Sequence, residues 1–395
     1  MKIFTPVLAF PLFLMLLLTS CISDQVEVVS VYYSETELQA LQQFLDLPAE
    51  RDKYTVVLAD HLANSSSFAP FINDAKATLG RVLFYDTQLS RTGETSCASC
   101  HKQALAFSDD KAFSTGINGQ QTERNSLSLA AVANFASSYD SGGPDFGPPN
   151  GFGRIGFFWD ERAGSISEQS SLTIENDIEM GMDINELPGK LAQNEYYKIL
   201  FRKAYGDEVV TTQRLLEAIQ EFVNSFVATQ SRFDEGLNVT RQLEQDFPNF
   251  SALENRGKAL FIENCSTCHA ADMSTPMGVN MASNGLEREY TDLGLGGLTQ
   301  NPADFGIFKV PFLRNVALTA PYMHDGRFAT LEAVVDHYSS GIQANDNLSE
   351  QLRFPDGSPR RFNFSAQDKA ALVAFLHTVT DEQFIAESRF SDPFR

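Results

Sequence analysis

Apolar and polar positions divide the chain into helical stretches joined by irregular ones. Residues 3–18 form a continuous apolar run behind Lys2. The run is shorter than the ~20 residues of a membrane span and has the length of a signal-peptide core. Ser34-Glu35-Thr36-Glu37 has the spacing of a capping box, and Leu38, Leu41, Phe44 and Leu45 follow on one side, which predicts a helix. Residues 51–71 are less regular. They contain His61, with no ligand-type residue at helical spacing from it, so it reads as structural or exposed. A second helix is predicted from Asn73 through Leu83. Between residues 187 and 226, Leu215, Leu216, Ile219, Phe222 and Val223 recur at steps of three and four, the period of a packed helix. The polar stretch 238–251 reads as a domain connection. Further helices are expected over 252–261 and 368–378, and strands should be few and short.

A length of 395 residues suits two domains on a prior of about 100–200 residues each, and 43% hydrophobic content is ordinary for a folded chain. The formal charge of −21 argues against nucleic acid and favours a cationic or neutral protein partner.

Four of the five cysteines fall into two copies of one pentad, Cys97-Ala98-Ser99-Cys100-His101 and Cys265-Ser266-Thr267-Cys268-His269. Positions i, i+3 and i+4 share one face of a helical turn, so two thiols and an imidazole converge on a single partner. That is what covalent c-type haem requires: each thiol adds to a vinyl group and the histidine ligates the iron. Structural zinc fits poorly, because the pairs lie far apart and a histidine directly after each pair is unusual for such sites. The fifth cysteine closes Leu18-Thr19-Ser20-Cys21, which resembles a bacterial lipobox. The expectation is a lipoprotein signal over 1–20 and a lipidated tether and amino-terminal extension over 21–72. An amino-terminal haem domain over 73–245 and a carboxy-terminal one over 246–395 would follow. The protein would then be anchored through Cys21 to a membrane on the periplasmic side of the bacterial envelope, where c-type haem is attached.

Around the pentads, separated motifs follow in order. They are Leu79-Gly80-Arg81-Val82-Leu83-Phe84-Tyr85-Asp86, Ala106-Phe107-Ser108-Asp109, Arg124-Asn125-Ser126 and Phe158-Trp159-Asp160-Glu161-Arg162-Ala163. Then come Glu168-Gln169, Glu179-Met180, Phe308-Lys309-Val310-Pro311, Leu313-Arg314-Asn315-Val316 and Thr319-Ala320-Pro321-Tyr322-Met323-His324-Asp325-Gly326-Arg327. Together they resemble the bacterial dihaem cytochrome c peroxidases, the superfamily that includes MauG, over roughly residues 75–380. The resemblance implies a mainly α-helical protein of two cytochrome c-like domains, each around one covalent haem. Hydrogen peroxide would be reduced at the first haem, with electrons passed through the second from a cytochrome c or cupredoxin. The alternatives are a MauG-like oxidase that draws oxidising equivalents from both haems to act on a protein substrate, and a non-catalytic electron-transfer cytochrome.

The resemblance also assigns residues. Glu179 would be the distal acid/base group, Gln169 its neighbour in the pocket, and Trp159 the residue between the haems. The family's distal histidine position falls on Ile117, which cannot bind iron, so the first iron is expected to be open or to carry only water. The second haem's sixth-ligand position falls on Tyr338, as in the MauG subgroup, with His337, Met323, Met273 and Met277 as rivals. Asn125, Thr319 and Pro321 match a calcium site between the haems, whose oxygen donors suit that ion.

Overall fold

The computed structural model describes residues 32–62, 71–130, 156–273 and 279–395. Cys21, the apolar run before it and Met277 lie outside these. Among the described residues, no helix is long and apolar enough to cross a membrane.

Two helix crossings organise the chain. Helix Asp74–Tyr85 begins where the Asn73 side chain accepts from the amides of Ala75 and Lys76, satisfying amides that a helix start leaves without partners. It crosses helix Thr212–Asn224. At the crossing a Cβ on Gly80 would stand 1.9 Å from the Ala218 carbonyl oxygen, so only glycine admits this approach. Helix Ala252–Asn264 opens with a Ser251/Glu254 capping box and crosses helix Ala366–His377 in the same way. There a Cβ on Gly257 would stand 1.9 Å from the Ala371 carbonyl. Four residues beyond each glycine and each alanine is a phenylalanine, and the rings meet: Phe84 with Phe222 at 5.5 Å and Phe261 with Phe375 at 5.2 Å.

The residue after each glycine is a buried cation that ties down a covering segment. Arg81 donates to the Ser391 carbonyl at 2.7 Å and pairs with Asp52 at 3.0 Å. Lys258 donates to the carbonyls of Gln245, at 2.6 Å, and Leu243. The sequence therefore carries one structural unit twice.

The cores divide differently from the expected boundaries. Tyr33, Leu41, Leu45 and Tyr54 are buried in the first core, so the described part of the extension is packed structure and no free tether. Its end is fastened where the His61 amide and Nδ1 meet Asn238 Oδ1 at 2.8 and 3.0 Å. His61 is thus structural and largely buried. Helix Arg232–Thr240, placed before the 245/246 boundary, contributes Phe233 and Leu237 to the second core. The chain's last segment crosses back: Phe384 and Phe390 lie in the first core, where Tyr85 donates to the Phe390 carbonyl. Aromatic rings in these interiors need partners on all sides, and the chain ends supply them. Strands are short: Met281–Ala282 pairs antiparallel with Phe308–Lys309.

The crossing predicts that Gly80→Ala and Gly257→Ala each lower stability by about 1–3 kcal/mol through overpacking. Gly189→Ala, with open space around its Cβ, should be neutral or mildly stabilising. Urea unfolding of the three variants checks this, and equal midpoints would contradict the close approach.

Candidate active site

Cys97–Cys100 forms one helical turn, and His101 follows it. The Nδ1 of His101 lies 2.8 Å from the Phe107 carbonyl. A carbonyl only accepts, so Nδ1 carries the proton and Nε2 keeps its lone pair for a metal. Ala106 and Phe107 both have positive φ, a tight turn that aims this carbonyl back at the ring. His269 repeats the arrangement, with Nδ1 3.2 Å from the Pro311 carbonyl. Burial holds both imidazoles below their ordinary pKa, His269 at about 4, so both are neutral. It also pushes the thiols up, Cys97 to about 12, Cys100 to about 11 and Cys265 to about 12.

Beside the first pentad is a cavity of about 550 Å³, predominantly apolar, lined on one side by Cys97, Cys100 and His101. Its size lies within the ~300–1,000 Å³ of ligand and cofactor sites. The neutral thiols, the free Nε2 and this volume fit a covalent haem. Glu179 also lines the cavity, and its charge is felt by both thiols of the pentad. Burial raises the Glu179 pKa, while a hydrogen bond from Thr173 and the charge of Arg162 favour the carboxylate. Gln169 completes the row, its Nε2 donating to Thr173 Oγ1 at 3.0 Å. The turn holding Glu179 is shaped by Asn176, whose Oδ1 accepts from the amides of Ile178 and Glu179.

Ile117 is buried against the back of this turn. Its amide lies 3.1 Å from the carbonyls of Ile178 and Glu179, and its side chain packs on Gly181. Ile178 and Glu179 line the cavity and Ile117 does not.

Trp159 lines the cavity at the tip of a hairpin closed by the Phe157–Ala163 bridge. Its Nε1 donates to the Asn125 carbonyl at 2.8 Å, and its own carbonyl accepts from the Lys309 amide at 2.7 Å. His324 stands edge-on to the indole at 6.4 Å and stacks on Phe308 at 3.8 Å. Arg124 bridges the two halves, with Asp160 at 2.6 Å on one side and Asp292 at 2.7 Å on the other. Arg327 is occupied by Asp325 and Glu287.

At the second pentad, Tyr338 lies in the π-helical turn His337–Gly341, an irregularity frequent at functional sites. Its phenol is buried and pushed up to about 12, is hydrogen-bonded with Asn284, and lies near enough to Cys265 and Cys268 to interact with them. The described rivals share this neighbourhood. His337 Nε2 is 3.0 Å from the Asn284 carbonyl, Met323 Sδ accepts from Asn284 Nδ2, and Met273 is buried in the second core.

The expected calcium residues come from two neighbouring loops. Asn125 Nδ2 donates to the Lys111 carbonyl at 3.0 Å, so a cation would be met by its Oδ1. Gly326 packs between Ala112 and Pro321, which brings the 319–326 loop beside Asn125's partners. Thr319 Oγ1 donates to the Val316 carbonyl at 3.2 Å. Among the described residues no cluster of three or more acidic, histidine or cysteine side chains could hold a metal.

Sequence reasoning missed Thr173, Asn176 and Asn284, which stand in no motif, and the pairing of Glu161 with Lys309, whose motifs lie far apart in the chain. The carbonyls of Phe107 and Pro311 were within quoted motifs, but backbone groups leave no side-chain signature.

Residues 74–242 match the family described as di-haem cytochrome c peroxidase. The chain is 31% identical over 369 residues to the methylamine utilization protein MauG of Paracoccus denitrificans, covering 80% of this chain and 92% of that one. It is 32% identical over 318 residues to the cytochrome c551 peroxidase of Nitrosomonas europaea, covering 79% and 81%. The crystal structure of a MauG-like protein associated with microbial copper homeostasis superposes with a TM-score of 0.69 at 30% identity, covering 88% of this chain and 98% of that one. With two helical halves, a repeated pentad and these relatives spanning most of its length, the chain belongs to the di-haem cytochrome c peroxidase/MauG family.

Proposed function

We propose that this family member reduces hydrogen peroxide at the Cys97–His101 site, with electrons arriving through the Cys265–His269 site. The observation that carries this reading is Glu179: a buried carboxyl of raised pKa that lines the same cavity as the first pentad, near enough for its charge to act on both thiols, on a turn backed by Ile117. Cys97, Cys100 and His101 would hold one haem, and Cys265, Cys268 and His269 the other. When bound, a haem would supply the Lewis acid and the electrons for cleavage of the O–O bond. Glu179 accepts the proton from one peroxide oxygen and returns it to the other, so that peroxide, two electrons and two protons leave as two waters. Thr173 and Gln169 hold the carboxylate in place for that transfer. Trp159 bridges the two sites. Asn125, Thr319 and Pro321 would hold calcium by neutral oxygens, with waters completing the shell. The electron donor is a small redox protein, a cytochrome c or cupredoxin, whose approach the net charge of −21 favours if it is cationic. Anchoring at Cys21 rests on the lipobox alone.

Tyr338 favours a second reading. A phenolate is a hard anionic donor that stabilises oxidised iron, which suits a MauG-like oxidase that is competent without prior reduction and acts on a protein substrate.

Two outcomes are expected. Stoichiometric peroxide added to the fully ferric protein, without reductant, should change both haem spectra in the MauG-like case. In a reductively activated peroxidase the spectra should change only after one-electron reduction. No change in either state would overturn catalysis altogether. Glu179→Gln should lower peroxide turnover by about 10². In the wild type, turnover should fall on acidification through a pKa above that of an ordinary glutamate, because the carboxylate is the active base. Thr173→Val removes a hydrogen bond that favours the carboxylate and should move this limb to higher pH. Near-normal turnover in Glu179→Gln would remove the acid/base role.

A further inference from the structure

The hairpin that carries Trp159 is held in an unusual way. Phe158 and Glu161, on either side of the tip, have φ of 68° and 55°, a region that non-glycine residues occupy only where their surroundings enforce it. Gly156 enters the hairpin so tightly that a Cβ there would meet the Glu161 carbonyl at 2.6 Å. Lys309, from the facing strand, fastens this loop at three points. Its amide donates to the Trp159 carbonyl at 2.7 Å, and its ammonium donates to the Gly156 carbonyl at 2.5 Å and faces Glu161 Oε1 at 3.3 Å. The two charged side chains are 6% and 7% exposed.

Stability is a weak reason for such a pair. Removing two charges from water costs about as much as their attraction returns, and apolar replacements are often neutral or better. What a buried pair provides is a fixed arrangement. Here the arrangement lies between the two haem sites. The strand that contributes Lys309 also contributes Phe308, which stacks on His324 beside the indole, and leads to Pro311, whose carbonyl orients His269. Lys309, Pro311 and Trp159 all line the first cavity.

We propose that Glu161 and Lys309 are positioning residues that fix the Trp159 indole between the two haem sites. They thereby set the rate at which an electron leaves the second site and reaches the first when peroxide is the oxidant. The proposal rests on the reading of Trp159 as the residue between the haems. Neither side chain need touch the reacting atoms. Lys309 holds the backbone on which the indole is mounted, and Glu161 holds Lys309.

The test uses the full-length protein carrying both haems. Trp159 is the sole tryptophan, so its ultraviolet resonance Raman bands for indole N–H hydrogen bonding and side-chain torsion report one residue. Lys309→Met should shift both bands and slow peroxide-driven oxidation of the second haem, followed by stopped-flow absorbance, about tenfold or more. Glu161→Gln keeps an acceptor for Lys309 and should return the bands and most of the rate. The double variant Glu161→Gln/Lys309→Met removes both charges and leaves no buried ion unpaired, so it should fold about as well as the wild type and yet shift the bands and slow the step. That separates positioning from stability and decides the matter if Lys309→Met fails to fold. Unchanged bands and rate in the double variant or in Lys309→Met would overturn the proposal. If Trp159→Phe leaves the rate unchanged, the inter-haem reading beneath it fails instead. A slowed Trp159→Phe beside an unaffected double variant defeats the positioning claim alone.

Discussion

Two helices pressed together until one backbone touches the other is the constraint on which each half of this protein depends. At Gly80 and again at Gly257 the carbonyl of the partner helix occupies the place of a side chain. The approach brings a phenylalanine from each helix into contact one turn further on. Residues after the glycine then face inward, and the buried cations Arg81 and Lys258 satisfy carbonyls of the segments that cover the crossing. Each pentad follows its glycine-bearing helix, so the crossing fixes where a covalent cofactor would hang.

Because one unit is used twice, the differences between the halves carry the function. Both pentad histidines present Nε2 by donating their single ring proton, on Nδ1, to a carbonyl, so the two would hold iron alike. Above them the surroundings diverge. The first site faces a buried glutamate supported by Thr173 and Gln169, with an isoleucine packed behind. The second has a buried tyrosine in a π-helical turn. The seam between them is held by charges that span it, Arg124 to Asp160 and Asp292 and Lys309 to Glu161, with the only tryptophan at the centre. A carboxyl buried beside apolar groups costs folding energy, whereas the indole, with its N–H satisfied, is packed at no such cost.

Much of this was legible in the chain. The pentads, the helix starts at Ser34, Asn73 and Ser251 and the apolar face of residues 215–223 are local signals, and the helices formed where they predicted. Glu179, Gln169 and Tyr338 could be named because separated motifs preserve their order, and the fold brings each to a pentad. The repeated Gly-x-x-x-Phe and Ala-x-x-x-Phe spacing was present in the sequence but short enough to pass as ordinary helix. Long-range packing was not legible. Nothing local says that Phe384 and Phe390 return to the first core, or that residues 32–62 pack there. Those placements satisfy aromatic surface left open by the crossing, which only the assembled core defines. Lys309 and Glu161 were readable as letters in motifs, but their pairing spans 148 positions.

The central claim is that the two irons are unequal, the first open on the Glu179 side and the second closed by a protein ligand. Electron paramagnetic resonance of the fully ferric protein tests it most directly. One high-spin and one low-spin ferric signal, in equal amounts, is the predicted result; two low-spin signals would contradict it.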